Sequence, residues 1–241
     1  MLVGNDIVDL HDPWSQPENI HGRFDNRAFT GPERTQIGGS GSPHQFRWSL
    51  WAAKESALKI ARKLDRDVRF FPRDFAVRML GDVRAEVTHQ TGRFSVWFER
   101  ADGWLHAVAV HETDHGSASD TPPVGVGSRV RRLTLTSPAE GEEGAPNEEM
   151  AGAVVRGSSH TGASGRGASS CADHSSRRVR EVARAAVGSL MKVCPSEIEV
   201  VSEAGIPTLH RRDERLSLDL SMSHDGRFVA CAWAEAGGRA G

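Results

Sequence analysis

Side chains able to do chemistry are concentrated in one stretch of the chain, RWSLWAAKESALKIARKL. Its apolar residues recur at helical spacing, which predicts an amphipathic helix over about residues 48–64. Glu55 and Lys59 fall on the opposite face with the i, i+4 spacing of a solvated ion pair. Trp48 and Trp51 flank that side, and indole rings seldom line a solvated helix face. We therefore expect another part of the chain, or a ligand, to cover this face. A carboxylate and an ammonium in such a cleft indicate a candidate site, with a buried structural pair as the alternative.

Two shorter motifs carry further polar side chains. Asp6 follows Gly4 in VGNDIVDL, at the polar end of a predicted strand, where an aspartate is often only a cap or turn residue. Ser221, Ser223 and His224 stand in SMSHDG at a predicted hairpin end, where local turn hydrogen bonds are the usual explanation. Neither motif establishes a site by itself.

The motifs suggest a site when they are combined. Asp6 and Glu55 come from different elements, and two carboxylates are enough to hold Mg²⁺ when water and substrate phosphates complete its coordination. Nearby lysine, serine and histidine side chains would then bind phosphate oxygens.

Composition excludes several other classes of protein. The 241 residues carry a net charge of −2, which gives no electrostatic reason to expect nucleic acid or an anionic membrane as partner. The longest apolar runs are too short to span a membrane, and Met1 leads into LVGNDIVDL without a signal-peptide pattern, so we expect a cytoplasmic protein. Cys171, Cys194 and Cys231 lack the spacing of a zinc site and are interpreted as free thiols.

The pattern along the chain predicts an α+β protein in two halves. After the first helix, alternating apolar residues with turn signals at Thr91-Gly92 and Asp102-Gly103 predict an antiparallel sheet. A Gly/Ser/Ala/Pro-rich stretch follows and predicts a mostly disordered linker, although a docking segment within it is an alternative. A second amphipathic helix and a hairpin turning at Asp225-Gly226 come next. The predicted divisions are a first half at 1–113, a linker at 114–174, a second half at 175–236 and a flexible tail at 237–241.

The motifs together resemble the 4′-phosphopantetheinyl transferase superfamily, which includes the holo-acyl-carrier-protein synthases and the larger surfactin-synthetase-activating type. That family combines a G-x-D strand, a W/F-x-x-K-E-S/A-x-x-K helix and an S-x-S-H strand. This chain has Gly4-Asn5-Asp6, then WAAKESALK from Trp51 to Lys59, then Ser221 to His224. The resemblance implies transfer of the phosphopantetheine arm of coenzyme A to a serine of an apo acyl or peptidyl carrier protein, with Mg²⁺ and release of adenosine 3′,5′-bisphosphate.

The resemblance also implies roles for individual residues. Asp6 and Glu55 would hold Mg²⁺, Glu55 would also accept the serine proton, and Lys59 would bind the diphosphate of coenzyme A. The remaining coenzyme A contacts expected are Ser223, His224, Lys54 and Arg178. Lys54 has the alternative of a snorkelling surface lysine, and no motif fixes Arg178.

Two departures from the family pattern matter. The larger type usually reads G-x-D-x-E, but Val8 stands where its third metal-binding glutamate would be, and Asp9 follows one residue later. The histidine strand comes last, as in the small trimeric synthases, although this chain is about twice their length. We therefore predict a monomeric pseudo-dimer of synthase-like units, each with antiparallel strands packed on one long helix. Its site would lie between the halves, with Trp48 and Trp51 in the interface or beside the pantetheine arm. The alternative function is a degenerate module that binds coenzyme A or a carrier protein without turnover.

Overall fold

The computed structural model describes residues 1–111, 119–133 and 168–235. Mixed helices and antiparallel sheets confirm the predicted α+β class. The helices are α1 (Phe24–Ala28), α2 (Gly31–Gly39), α3 (Pro43–Leu64) and α4 (Ala168–Met191). The strands are β1 (Leu2–Asp9), β2 (Ala76–Met79), β3 (Arg84–His89), β4 (Gly92–Ala101), β5 (Trp104–His111), β6 (Val126–Arg132), β7 (Glu199–Glu203), β8 (Ile206–Arg211), β9 (Glu214–Arg215), β10 (Leu218–Asp225) and β11 (Phe228–Glu235). Below, β1–β5 with α1–α3 are called the first half, and β6–β11 with α4 the second half.

The first half is a five-stranded antiparallel sheet in the order β1-β5-β4-β3-β2. Gly92 begins β4 directly after a turn and Gly103 stands in the turn that follows β4, with φ of 145° and 80°, conformations that glycine adopts without steric cost. The sheet prediction for this region is confirmed. Strand β1 lies at the edge of the sheet, so its outer backbone groups need partners other than a sixth strand of the same sheet.

Helix α3 packs across the sheet and begins five residues before the predicted start, because Pro43 occupies its first turn, where a missing N–H is tolerated. Small residues let the helix approach β1 closely. A Cβ added at Gly4 would lie 1.9 Å from the carbonyl oxygen of Ser56. Gly4 therefore fixes the separation between the strand that carries Asp6 and the helix that carries Glu55.

The two tryptophans of α3 are covered by the first half itself. Trp48 is 1% exposed, and its indole N–H donates to the carbonyl oxygen of Ser15 at 2.9 Å. Trp51 lies half-buried against Phe24 and Phe70, with ring centroids 5.2 and 5.5 Å away. The prediction that the tryptophans lie in the interface between the halves is wrong, because residues that follow β1 fold back over this part of the helix.

The second half contains the sheet β10-β11-β6 and the small sheet β7-β8-β9, with α4 packed against β10 and β11. Strand β6 falls inside the segment predicted as a disordered linker, so that prediction is wrong for Val126–Arg132. Composition missed this strand because its valines are spaced among arginines and a glycine. Gly127 leaves room for the ring of Trp233 on β11, which a Cβ there would meet at 2.4 Å. The rest of the predicted linker up to residue 167, apart from 119–133, and the tail from 236 lie outside the described residues.

The two halves pack through a sheet-to-sheet interface. Ala232 and Ala234 of β11 meet Val3, Val108 and other apolar residues of the first sheet, since small side chains let the backbones approach. Strand β10 lies beside β1, and its side chains bind the outer N–H groups of β1. The bonds run from Val3, Asn5 and Asp9 to Asp219, Ser221 and Asp225, at 2.7, 2.9 and 2.7 Å. No helix within the described part of the chain is long and apolar enough to cross a membrane.

Replacing Gly4 by alanine tests the close approach of α3 to β1. The added methyl group collides with helix backbone, so we expect a loss of about 1–3 kcal/mol in the free energy of unfolding, measured by urea denaturation. Gly38→Ala is the matched control, because a Cβ there meets nothing within 4 Å. Equal midpoints for both variants would contradict the packing described for Gly4.

Candidate functional site

The structure brings Asp6, Glu55 and Lys59 together on one side of the first half. Lys59 lies one turn after Glu55 on α3, and its ammonium forms an ion pair with Asp6 at 3.4 Å. It also donates to the carbonyl oxygens of Asn5 on β1 and Met222 on β10, at 2.5 and 3.4 Å. The side chains of Lys59 and Asp6 are 28% and 16% exposed, so solvent reaches the group only in part. The group lies where the two halves meet, since Lys59 also contacts β10.

The charged form is disfavoured at both carboxylates. Burial raises the pKa of Asp6, against the opposing effect of the Lys59 ammonium. Burial also raises the pKa of Glu55, and the negative charge of Asp6 raises it further. Lys59 and Arg62 oppose this increase, but the repulsion between the two carboxylates remains when both are ionised. An additional cation would relieve that repulsion.

The donor set fits a hard divalent cation such as Mg²⁺, which takes carboxylate oxygens and keeps several water or phosphate ligands. No group of three or more histidine, cysteine, aspartate or glutamate side chains suited to a metal occurs among the described residues. Asp9 supplies no third carboxylate, because both its oxygens bind the guanidinium of Arg227, at 2.7 and 2.8 Å. Val8 is 2% exposed in the core. A metal here would rest on the carboxylates of Asp6 and Glu55.

A basic cleft of about 380 Å³ adjoins this group. One wall carries four cations from the last turns of α3 and the turn that follows it, and the other wall is formed by the turn between β7 and β8 with the start of β8, including Gly205 and Pro207. The cations are Lys59, Arg62 and Lys63, which share one face of α3, and Arg66 just beyond the end of the helix. Four positive charges along one wall favour a ligand with several phosphate groups.

The cations of the cleft are not equivalent. Lys63 is 6% exposed and forms an ion pair with Asp219 at 2.8 Å, and it also donates to the carbonyl oxygens of Val3 and Leu220. Its bonds join the two halves. Arg62 and Arg66 are exposed, so their guanidinium groups are accessible to an anion in the cleft.

The S-x-S-H strand occupies β10, but its members differ in exposure. Ser221 and Ser223 are buried, and their hydroxyl oxygens accept from the backbone N–H and the side-chain amide of Asn5, both at 2.9 Å. The Ser223 hydroxyl thus contacts Asn5 in this structure, and its contact with coenzyme A stays a prediction. His224 is exposed near the end of the strand and stays a predicted phosphate contact.

Two predicted coenzyme A contacts lie elsewhere. The Lys54 side chain is fully buried, and its ammonium binds both oxygens of Glu33 at 2.9 Å as well as the carbonyl oxygens of Pro72 and Phe75. Lys54 is therefore a core ion pair, and the interpretation as a ligand contact or surface lysine is wrong. Lys54 is buried because it lies on the face of α3 that packs toward α2. Arg178 is half-exposed on α4, where it pairs with Glu181 of the same helix at 3.0 Å.

Sequence reasoning missed several residues that shape the site. Arg62 and Arg66 had a readable signal, since they continue the spacing that begins at Lys59. Asn5 was read only as the variable position of the G-x-D motif. His106 on β5 had no local signal, because its importance comes from lying 3.1 Å from the Asn5 amide nitrogen.

Comparison with known proteins agrees with the motifs. The model of the family described as "4'-phosphopantetheinyl transferase superfamily" matches residues 2–109. The resemblance read from the sequence is thus confirmed: residues 2–109 carry the signature of this superfamily. The matched segment contains Asp6, Glu55 and Lys59 and ends before β10, so the S-x-S-H strand lies beyond it.

One solved structure that resembles the chain is holo-[acyl-carrier-protein] synthase (AcpS) from Neisseria meningitidis. It is 20% identical, and the alignment covers 47% of this chain and 100% of that chain, with a TM-score of 0.39. No curated protein matches the chain significantly.

The buried His106 should make the protein sensitive to acid. Burial, together with the nearby Lys59 charge, lowers the pKa of His106 from 6.5 to about 3. Because the folded-state pKa is lowered, the stabilisation is complete above pH 6.5 and is lost progressively as the pH falls toward 3. Between pH 7 and pH 5 the wild type should therefore lose about 2 kcal/mol more than His106→Phe in urea unfolding. Parallel pH dependences for the two proteins would contradict this assignment.

Proposed function

We propose that this protein is a 4′-phosphopantetheinyl transferase that moves the phosphopantetheine arm of coenzyme A to a serine of an apo acyl or peptidyl carrier protein. The observation that carries the proposal is the convergence of Asp6, Glu55 and Lys59 at the end of a cleft lined by Arg62 and Arg66. The family match over residues 2–109 supports phosphopantetheinyl transfer in general. The type of carrier and the dependence on Mg²⁺ are parts of the proposal.

The reaction requires a weak nucleophile to displace a good leaving group. The carrier serine oxygen attacks the phosphorus that bears the pantetheine, and the bond from that phosphorus to the bridging diphosphate oxygen breaks. Adenosine 3′,5′-bisphosphate leaves with the electron pair of that bond. Glu55 accepts the serine proton, a role that its raised pKa favours, because a base is most effective when its pKa lies near the working pH.

Lys59 binds the diphosphate and stabilises the charge that develops on the leaving group. Its bonds to the Asn5 and Met222 carbonyl oxygens fix the ammonium before substrate arrives. Asp6 and Glu55 would hold Mg²⁺, which when bound supplies positive charge against the diphosphate. Arg62 and Arg66 bind the other phosphate oxygens along the cleft, and His224 is retained as a further phosphate contact.

We also propose that the two halves are related as a pseudo-dimer. The first sheet runs β1-β5-β4, and the second runs β6-β11-β10, so in each half the first strand pairs with the last. In each half a long helix follows the first strand along the chain and precedes the other strands. This helix is α3 in the first half and α4 in the second. The second unit would then begin at β6 rather than at residue 175. Because one chain supplies both walls of the cleft, we propose a monomer, and a cytoplasmic location remains a prediction from the sequence.

The second candidate function is a module that binds coenzyme A or a carrier protein without turnover. The observation that favours it is the buried Val8 at the position of the family's third carboxylate, with Asp9 held by Arg227. Such a module would keep the basic cleft and lose transfer. A transfer assay distinguishes the two candidate functions, because only the transferase would modify a carrier protein.

Asp6→Asn and Glu55→Gln test the catalytic assignment. Each should reduce transfer at least about a hundredfold, since each removes a carboxylate that holds Mg²⁺ and, at position 55, the base. The measurement is intact-mass spectrometry of apo carrier proteins incubated with the protein, coenzyme A and Mg²⁺, with chelator as a control. Glu99→Gln, on an exposed position of β4, is the matched control and should keep full activity. Wild-type transfer that persists in either site variant would remove the metal and base assignment.

Arg62→Gln with Arg66→Gln tests the cleft. Each lost charged hydrogen bond is worth about 1.5–3 kcal/mol, so the KM for coenzyme A should rise about tenfold or more while kcat changes less. The exposed Arg69→Gln lies outside the cleft lining and should leave KM unchanged. An unchanged KM in the double variant would place coenzyme A elsewhere.

A further inference from the structure

A pair of polar side chains lies between the two halves, with an apolar cluster on either side. Asn5 and His106 are fully buried, on the face of the first sheet that meets the second. One flanking apolar cluster contains Val3 and Ala232, and the other contains Ile7 and Ala230. A buried polar group costs free energy unless it is fully hydrogen-bonded, and an apolar pair would fill this layer without that cost.

The group is not fully satisfied. The Asn5 amide nitrogen contacts the Nε2 of His106 at 3.1 Å and donates to the hydroxyl of Ser223 at 2.9 Å. The Oδ1 of Asn5 and the Nδ1 of His106 are buried and find no hydrogen-bond partner among the residues that the structure describes. Packing and stability therefore do not explain why these two positions carry asparagine and histidine rather than apolar residues. A functional role would explain it.

Asn5 is also held through its backbone. Its N–H donates to Ser221 at 2.9 Å, and its carbonyl oxygen accepts from the Lys59 ammonium at 2.5 Å. Asn5 therefore joins β5 and β10 to the lysine on α3 through four hydrogen bonds. The next residue in the chain is Asp6, whose carboxylate pairs with that same ammonium.

We infer that Asn5 and His106 are positioning residues, which fix the Asn5 carbonyl and thereby hold Lys59 and Asp6 in the geometry needed for transfer. Ser221 and Ser223 act through Asn5 in the same way. This inference rests on the proposed function, since it concerns the placement of the groups that carry out the transfer. A displacement of about 1 Å in such groups can cost on the order of a hundredfold in rate.

The bond between Asn5 and His106 fixes the ring tautomer. The amide nitrogen can only donate, so Nε2 must be the acceptor and the ring proton must lie on Nδ1. The tautomer is observable by nitrogen-15 NMR of the histidine ring and needs no substrate. It therefore tests the hydrogen-bond network separately from any catalytic activity.

The test uses the full chain and compares kinetics, stability and the His106 tautomer. In Asn5→Leu, which loses the amide at similar volume, we expect kcat to fall about 10–100-fold and the KM for coenzyme A to stay within about threefold. His106 should also lose its Nδ1–H preference. His106→Phe should lower kcat similarly, whereas His106→Gln keeps an acceptor for the Asn5 amide and should recover much of it.

Stability measurements separate positioning from folding. Asn5→Leu with His106→Phe removes both polar partners, so its free energy of unfolding at pH 7 should be close to that of the wild type while kcat stays low. His89→Phe is the matched control, because His89 is buried in the same sheet but bonds to Thr91 and stacks on Phe75. It should leave kcat unchanged.

The outcomes are distinguishable. Wild-type kcat in Asn5→Leu, or a loss of kcat only in proportion to lost folded protein, would overturn the positioning role. An Nε2–H tautomer in the wild type would overturn the network itself. If the wild type transfers nothing to any carrier protein, the proposed function fails, whatever tautomer the ring shows.

Discussion

The outer edge of β1 is the constraint on which the rest of the structure depends. A sheet edge exposes alternating N–H and C=O groups that must find partners once they are buried. Here side chains of β10 bind the N–H groups of Val3, Asn5 and Asp9, while lysines of α3 bind the carbonyl oxygens. No backbone ladder joins β1 to β10. Side chains of β10 and lysines of α3 together satisfy the polar groups of this edge. The proposed active site lies where β10 and α3 meet beside β1.

This arrangement explains why one helix can supply both structure and chemistry. Lys54, Lys59 and Lys63 all lie on α3, yet each meets a different environment. Lys54 points into the core and is neutralised by Glu33, and Lys63 is neutralised by Asp219 across the halves. Lys59 has a single carboxylate at the longer distance of 3.4 Å and keeps partial exposure. The lysine with the weakest ion pair of the three is the one proposed to bind an incoming phosphate.

Sequence patterns predicted the elements better than their contacts. The helical stripe of α3, the alternation of the first sheet and the spacing of Glu55 and Lys59 are local signals, and the structure agrees with them. The burial of Lys54 depends on α2 packing over the helix, and the role of His106 depends on a register between β1 and β5. Such contacts join residues far apart in the chain, so no spacing reveals them. Strand β6 was missed because its arginines outweigh its valines in composition.

The position of β6 changes how the two halves are connected. Strand β6 pairs with β11, and α4 packs against the same sheet, so the elements on both sides of residues 134–167 belong to the second half. The covalent connection between the two halves is therefore the stretch between β5 and β6. A cut between residues 133 and 168 would therefore divide the second half itself, because β6 would stay on the fragment that carries the first half while its partner β11 would lie on the other fragment.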